Sequence, residues 1–187
     1  MRPWPQALRS DQGLVAMARL LRRYHDAVEG FEPPPNARWR VPVVSWQPGM
    51  IVRHGDLGPW NTIWQNDSLI GLIDWDFAES SWPLEDVAQV AWHVVPLRSD
   101  RTLQEAGFDR HPDLRHRLFT LCENYGASVA EVLGILAKLQ ATERARIVEF
   151  SPQGLEPWVS FQARGHLELI ADESAWLENR IDLLTSV

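Results

Sequence analysis

The sequence predicts an α+β fold that is predominantly helical, with a small β-hairpin region in the first half of the chain. Apolar residues recur at helical spacing before residue 30 and after residue 83, whereas residues 50–78 hold short β-prone runs between polar loops. The chain has 187 residues, of which 45% are hydrophobic and 23% are charged. These values are ordinary for a soluble globular domain, so we expect a single domain over residues 1–187.

The first predicted helix spans about Asp11 to Glu29, because Leu14, Ala18 and Leu21 begin an apolar stripe. A glycine and three consecutive prolines follow and end it. Residues 31–48 are predicted to be a proline-punctuated loop, in which Val41–Trp46 is the clearest strand candidate.

Three short β-prone runs come next, namely Met50–Val52, Thr62–Trp64 and Leu69–Trp75. Asn66 and Asp67 separate the second run from the third, which predicts a hairpin turn. From residue 83 onward four helical segments are expected. Pro83 begins the first of them and Pro96 ends it, while Pro112 begins the second and Gly126 ends it. The capping box of Ser128 and Glu131 begins the third. The last runs from Leu155 to Leu184 and contains Gly165.

Charge and cysteine content narrow the function classes. The net charge of −7 at pH 7 argues against a nucleic-acid partner. Cys122 is the single cysteine, so neither an intramolecular disulfide nor a cysteine-based metal site is expected. The N-terminal residues do not resemble a signal peptide, and no stretch approaches the roughly 18 apolar residues of a membrane span. We therefore expect a cytoplasmic protein without a membrane partner.

Polar residues with chemical potential concentrate in one segment. Asp56 and Asn61 lie in the loop that follows the first β-prone run, and Asp74 and Asp76 end the third. Because side chains alternate along a strand, residues two apart point to the same face. Carboxylate and amide oxygens suit Mg²⁺ better than zinc, and Mg²⁺ shares its remaining ligand positions with water and phosphate. The set therefore predicts a nucleotide–magnesium site.

The pattern His-x-Asp-x-x-x-x-Asn over residues 54–61, followed by Ile-Asp-x-Asp over 73–76, resembles the catalytic segment of the aminoglycoside phosphotransferase and choline kinase family. That family has a protein-kinase-like fold. The flanks are similar too: the helix over 14–28, the Asp-Val-Ala at 86–88 and the Trp-Leu at 176–177. The resemblance implies the large C-terminal lobe of a kinase-like fold, in which a small β-hairpin carries the catalytic and metal loops.

The resemblance also implies roles for the polar residues. Asp56 would be the catalytic base for a substrate hydroxyl, and Asn61 and Asp74 would hold Mg²⁺ with ATP or GTP as phosphate donor. Asp76 would be a second-metal or outer carboxylate. His54 would brace the loop, and Asp86 would hydrogen-bond near it. The alternatives are ordinary turn residues for Asp56 and Asn61, and a helix N-terminal carboxylate for Asp86.

A kinase-like enzyme also needs a small N-terminal lobe with a strand lysine for the phosphates. About fifty residues precede the catalytic loop, and Lys138, the single lysine, lies far downstream. We therefore expect the large lobe alone, whether as a fragment, as a natural truncation or with its small lobe on another polypeptide. A lobe without its partner exposes apolar surface, so self-association through that face is expected.

Glu168 and Asp172 are the acceptor-site candidates, since they are four residues apart on one predicted helix with Glu173 nearby. An acidic pocket would suit a cationic acceptor such as an aminoglycoside or another amino alcohol or sugar. The alternative is a solvated helix face. The sequence thus favours a small-molecule O-phosphotransferase, weakly active if truncated. A non-catalytic pseudokinase lobe in binding or regulation is the alternative, and a metal-dependent phosphohydrolase is a weaker third, because the histidine-rich ligand set is missing.

Overall fold

The computed structural model describes residues 4–40, 45–99, 103, 106–108 and 111–186. These residues form a mostly helical α+β fold, as predicted. The helices are α1 Asp11–Val28, α2 Pro83–His93, α3 Leu114–Tyr125, α4 Val129–Phe150, α5 Trp158–Ala163, α6 His166–Glu178 and α7 Ile181–Thr185. The strands are β1 Ile51–Arg53, β2 Thr62–Gln65, β3 Ser68–Leu72 and β4 Glu79–Ser81, and 3₁₀ turns cover Gln6–Arg9, Pro59–Asn61 and Ser151–Gln153.

Side-chain caps and a left-handed glycine set the ends of several helices. Ser10 caps α1 by accepting a hydrogen bond from the Gly13 N–H at 3.1 Å. The predicted capping box begins α4, where Ser128 Oγ accepts from the Glu131 N–H at 3.2 Å. Gly126 ends α3 with a φ of +88°, a conformation that glycine adopts without strain. The predicted starts of α1 and α4 and the predicted end of α3 are therefore confirmed.

The structure differs from the prediction in three elements. The third β-prone run ends at Leu72 rather than Trp75, so residues 73–78 form a loop. The last helical region is three helices, because Gly165 has a φ of +75° and interrupts it between α5 and α6. Strand β4 was not predicted, since Glu-Ser-Ser has no β-propensity signal. Of the strand candidate Val41–Trp46, residues 41–44 lie outside the described residues.

Two antiparallel pairs bring the polar loops together. Strands β2 and β3 form the predicted hairpin, and β1 pairs with β4 so that Arg53 lies opposite Glu79. The loop that leaves β1 and the loop that enters β4 therefore begin at the same end of one strand pair. The Arg53 Nε atom donates to Glu79 Oε1 at 3.0 Å, and Arg146 of α4 reaches Glu79 Oε2 at 2.6 Å. This buried ion-pair group joins the strand pair to α4.

Helices α1 to α4 enclose the apolar core. Leu14 and Leu21 of α1, Val90 of α2, Leu121 of α3 and Leu133 of α4 are completely buried in it. Along the hairpin and the loop after it, by contrast, four large apolar side chains are exposed: Ile63, Ile70, Ile73 and Trp75. Self-association through such a surface stays a prediction. Within the described residues, no helix combines the length and apolar character needed to traverse a bilayer.

Candidate active site

The loop after β1 passes very close to the loop before β4. Gly55 has a φ of +80°, and a Cβ atom there would lie 2.1 Å from the carbonyl oxygen of Phe77. No side chain fits at that distance, and a left-handed φ strains any L residue other than glycine. Gly55 therefore lets the two polar loops touch, and this contact brings Asp56 and the 74–76 segment to one side of the molecule.

Substituting Gly55 with alanine tests this close approach. Gly30 is a matched control, because its φ is +76° and no described atom lies within 4 Å of its Cβ position. We expect Gly30→Ala to cost about 1 kcal/mol of unfolding free energy from backbone strain alone. Gly55→Ala should cost about 1–3 kcal/mol more, since the backbone at Phe77 must move. Urea denaturation of both variants measures the difference; equal losses would show that the loops do not need the contact.

Two hydrogen bonds hold the carboxylate of Asp56 in place. Asp56 Oδ2 accepts from the Asn61 Nδ2–H at 2.8 Å and from the Trp60 Nε1–H at 3.2 Å. Burial raises the pKa of this carboxyl, the hydrogen bonds from Trp60 and Asn61 lower it in part, and the charge of Asp74 raises it further. The net shift is upward, which makes Asp56 a better proton acceptor than an exposed aspartate.

Asn61 and His54 connect this carboxylate to the surrounding backbone. The buried Asn61 amide also donates to the Asp56 carbonyl at 2.9 Å. His54 Nε2 lies 3.0 Å from the Ile73 carbonyl and therefore carries the hydrogen, so Nδ1 accepts from the Asp56 N–H at 3.3 Å. The Trp75 ring packs on His54 at 4.3 Å between centroids. These contacts place His54 between the loop after β1 and the loop after β3, and its bracing role stays a prediction.

Two side chains of α2 hydrogen-bond to the backbone of the loop after β1. Asp86 accepts from the backbone N–H groups of His54 at 2.9 Å and Gly55 at 3.3 Å. One turn later, Gln89 accepts from the Leu57 N–H at 2.9 Å and donates to the Gly55 carbonyl at 2.8 Å. Residues three apart on a helix share a face, so both side chains reach the loop. The loop backbone is thus held at three residues, namely His54, Gly55 and Leu57.

Asp86 is completely buried and has charged neighbours. His25 of α1 lies 3.3 Å from its Oδ2 through Nε2, while His25 Nδ1 contacts the Tyr125 hydroxyl at 2.8 Å. Burial disfavours the charged carboxylate, but the hydrogen bond from His25, the charge of Arg53 and the His54 N–H outweigh it. Together they hold the pKa of Asp86 below its ordinary value. Asp86 is therefore a buried anion that binds the loop backbone on one side and His25 of α1 on the other. His25 in turn contacts Tyr125 of α3.

Asp74 and Asp76 both lie in the loop after β3, so the strand-alternation argument for them was wrong. Both side chains are exposed, and Asp74 has a φ of +66°, which few non-glycine residues adopt. Asp76 Oδ2 accepts from Arg40 Nη1 at 3.1 Å. Backbone strain of this kind concentrates at ligand sites. Asp74 is also near enough to Asp56 for its charge to affect the pKa there.

The donor set fits a shared magnesium ion rather than a closed protein cage. Within the described ranges, no three His, Cys, Asp or Glu side chains group closely enough to hold a metal. Asn61 and Asp74 could offer an amide oxygen and a carboxylate, which is the small protein contribution typical of Mg²⁺ bound through nucleotide phosphates. The carboxylate of Asp76 is paired with Arg40 instead.

A cavity of about 330 Å³ opens beside Asp56, between α2, α4, α5 and α6. Glu168 and Asp172 do not line it; both are exposed on α6. Glu173 is buried instead, where its carboxylate accepts from Trp92 at 2.8 Å and from Arg98 at 2.6 Å. The structure thus does not bring the two predicted acceptor residues to Asp56, and their binding role stays a prediction.

Sequence reasoning missed Gln89 and the cavity wall. The spacing of Asp86 and Gln89 could have predicted their shared role, because residues three apart lie on the same face of a helix. That face of α2 contacts the loop after β1. The cavity residues His93, Phe161 and His166 had no such signal. They come from three helices whose packing only the folded chain shows.

A curated relative, the trifolitoxin immunity protein of Rhizobium leguminosarum bv. trifolii, is 28% identical over 163 residues, which cover 81% of this chain. The chain spans 59% of the length of that relative. No solved structure matches the chain.

A family model matches residues 38–119, the segment that carries both loops and the helix behind them. It is the model of the phosphotransferase enzyme family. Asp56, Asn61, Asp74 and Asp86 all lie inside the matched range. The resemblance found in the two motifs is therefore confirmed over this segment, and residues 38–119 are similar to the phosphotransferase enzyme family.

Proposed function

We propose that this protein transfers the γ-phosphate of ATP or GTP to a hydroxyl group of a small molecule, and that its described fold is a kinase-like large lobe. The observation that carries the proposal is the Asp56 carboxylate. It is held by Trp60 and Asn61 on a loop that α2 fixes, at the mouth of a cavity. The family match covers this segment.

In the proposed mechanism, the acceptor hydroxyl lies against Asp56, which orients it and takes its proton as the phosphate transfers. The raised pKa of Asp56 favours proton uptake. Asn61 and Asp74 would hold Mg²⁺, which supplies charge neutralisation on the nucleotide phosphates. Asp86 and Gln89 keep the loop backbone in register, so that little reorganisation is needed when substrates bind.

A second candidate is a non-catalytic lobe that acts by binding. Lys138, the single lysine, lines a different cavity on α4 and not the one beside Asp56. One relative is named for immunity to trifolitoxin. That name is compatible with the second candidate, since immunity can arise from binding as well as from modification. Under this candidate the motif residues retain a structural role without clamping nucleotide.

Calorimetry with Mg²⁺–ATP and Mg²⁺–GTP separates the two candidates. We expect the wild-type chain to bind one of them and Asp74→Ala to bind it weaker by at least about tenfold, because a metal ligand is lost. Asp172→Ala is the control: the same substitution at another exposed aspartate should leave binding unchanged. A repeat with excess chelator should abolish binding by the wild type. Absence of binding to either nucleotide would support the second candidate.

A further inference from the structure

The cavity beside Asp56 is lined in part by aromatic rings. Trp92 and His93 stack with 4.7 Å between ring centroids and an interplanar angle of 15°, and Trp60 packs against His93 at 5.3 Å. On the opposite side, Phe161 stacks on His166 at 4.8 Å and 9°. Such flat surfaces gain most from contact with an aromatic or aliphatic body.

The charged groups that face the cavity are already paired. Arg98 is bound to the buried Glu173 at 2.6 Å. Glu143 of α4 contacts Arg146 at 2.9 Å. These two ion pairs leave Asp56 as the acidic group at the cavity that a ligand can approach, and the proposed mechanism reserves its carboxylate for the acceptor hydroxyl.

The two imidazoles of the wall are neutral at pH 7. Burial lowers the pKa of His93 well below its ordinary value, and the nearby charge of Arg98 lowers it further. His93 Nδ1 accepts from Arg98 Nη1 at 3.4 Å, which a protonated ring could not do. Burial, Arg98 and Arg164 likewise lower the pKa of His166. The wall therefore presents polar ring atoms without net charge.

We propose that the cavity binds an uncharged hydroxyl compound with a flat apolar body and rejects polycations. The proposal rests on the proposed function, since it names the acceptor of that same site. Apolar burial stabilises such a ligand by about 25 cal/mol for each Å² covered. Each ammonium of a polyamine would lose its hydration here. Among the described lining residues, Asp56 is the acidic group outside an ion pair, and its carboxylate already accepts two hydrogen bonds. Glu168 and Asp172, the basis for expecting a cationic acceptor, lie outside the cavity.

The test measures binding to the full chain without nucleotide. Naphthaleneethanol is the probe, naphthaleneethylamine is its charged counterpart on the same ring, and an aminoglycoside serves as polycation. In calorimetry at pH 7 we expect the alcohol to bind at least about tenfold tighter than either amine, a difference of roughly 1.4 kcal/mol. Binding of the amine or the aminoglycoside as tight as the alcohol would overturn the proposal, as would no binding of the alcohol up to its solubility limit.

Two variants test whether the alcohol probe binds in this cavity. Phe161→Ala removes a wall ring and Leu169→Trp fills part of the space, and each should weaken the alcohol by about tenfold. Leu169→Trp keeps the test valid if the first variant folds poorly. Phe119→Ala removes an exposed ring on α3 and should leave binding within about twofold. Unchanged binding in both cavity variants would overturn the proposal. Failure of the proposed function would show separately, as lost Mg²⁺–nucleotide binding with alcohol binding intact.

Discussion

Asp56→Asn should lower phosphoryl transfer by about 10²–10⁴-fold, the usual contribution of a positioned general base. The amide has the shape of the carboxylate, and its Oδ1 can still accept from Asn61 and Trp60. The loop geometry should therefore persist while the proton acceptor is lost. Transfer from γ-labelled nucleotide to the aromatic alcohol, and to a panel of other hydroxyl compounds, measures the effect.

Two controls make the Asp56 result specific. Mg²⁺–nucleotide binding should be retained by Asp56→Asn, because Asn61 and Asp74 are the proposed ligands. Asp67→Asn applies the same chemical change in the hairpin turn, where φ is +59° and asparagine is well tolerated, so its turnover should match the wild type. Turnover by Asp56→Asn equal to that of the wild type would show that Asp56 is not the base.

Asp86→Ala should be among the most destabilising single substitutions in this chain, at about 3–5 kcal/mol. It removes a completely buried anion and leaves the N–H groups of His54 and Gly55 without their acceptor, next to the buried charge of Arg53. Urea denaturation followed by tryptophan fluorescence gives the free energy of unfolding. Asp172→Ala, an exposed aspartate on α6, should change it by less than about 0.5 kcal/mol.

The pH dependence of stability gives a second readout for Asp86. Its folded-state pKa is below the ordinary value of 3.8, so the folded protein binds this proton less readily than the unfolded chain. The stability that the carboxylate contributes is present above pH 3.8 and is lost as the pH falls through the lower folded value. Asp86→Ala should flatten this acid limb of the stability profile. A loss below about 1 kcal/mol with an unchanged acid limb would contradict the anchoring role.

Local signals are enough to place Asp56 and Asn61 side by side. Asp56 and Asn61 are five residues apart in one loop, and Asn61 hydrogen-bonds directly to Asp56. Glycine and turn residues at fixed spacing fix such a loop without help from distant chain. The pairing of Asp74 with Asp76 failed for the opposite reason. Strand β3 ends at Leu72, three residues earlier than its apolar pattern suggests, and side-chain alternation stops with it.

The acceptor side of the site depended on contacts between residues far apart in sequence. Glu173 lies near the two candidates Glu168 and Asp172 in the sequence, yet of the three it alone is buried, because Arg98 and Trp92 hydrogen-bond to it. Helical periodicity shows which residues share a face of a helix, but it does not show which other segment packs against that face. A carboxylate can therefore be assigned to solvent or to an ion pair only when the neighbouring helices are in place.

The helical α+β character, the capped helix ends and the two motifs with their proposed chemistry follow from the sequence alone, since propensities, caps and loop spacings act over a few residues. Only the tertiary structure decided three further features. These are the pairing of β1 with β4, the hold of Asp86 and Gln89 on the catalytic loop, and the apolar, charge-paired wall beside Asp56. Each arises from burial between distant segments, where desolvation decides which polar groups must pair.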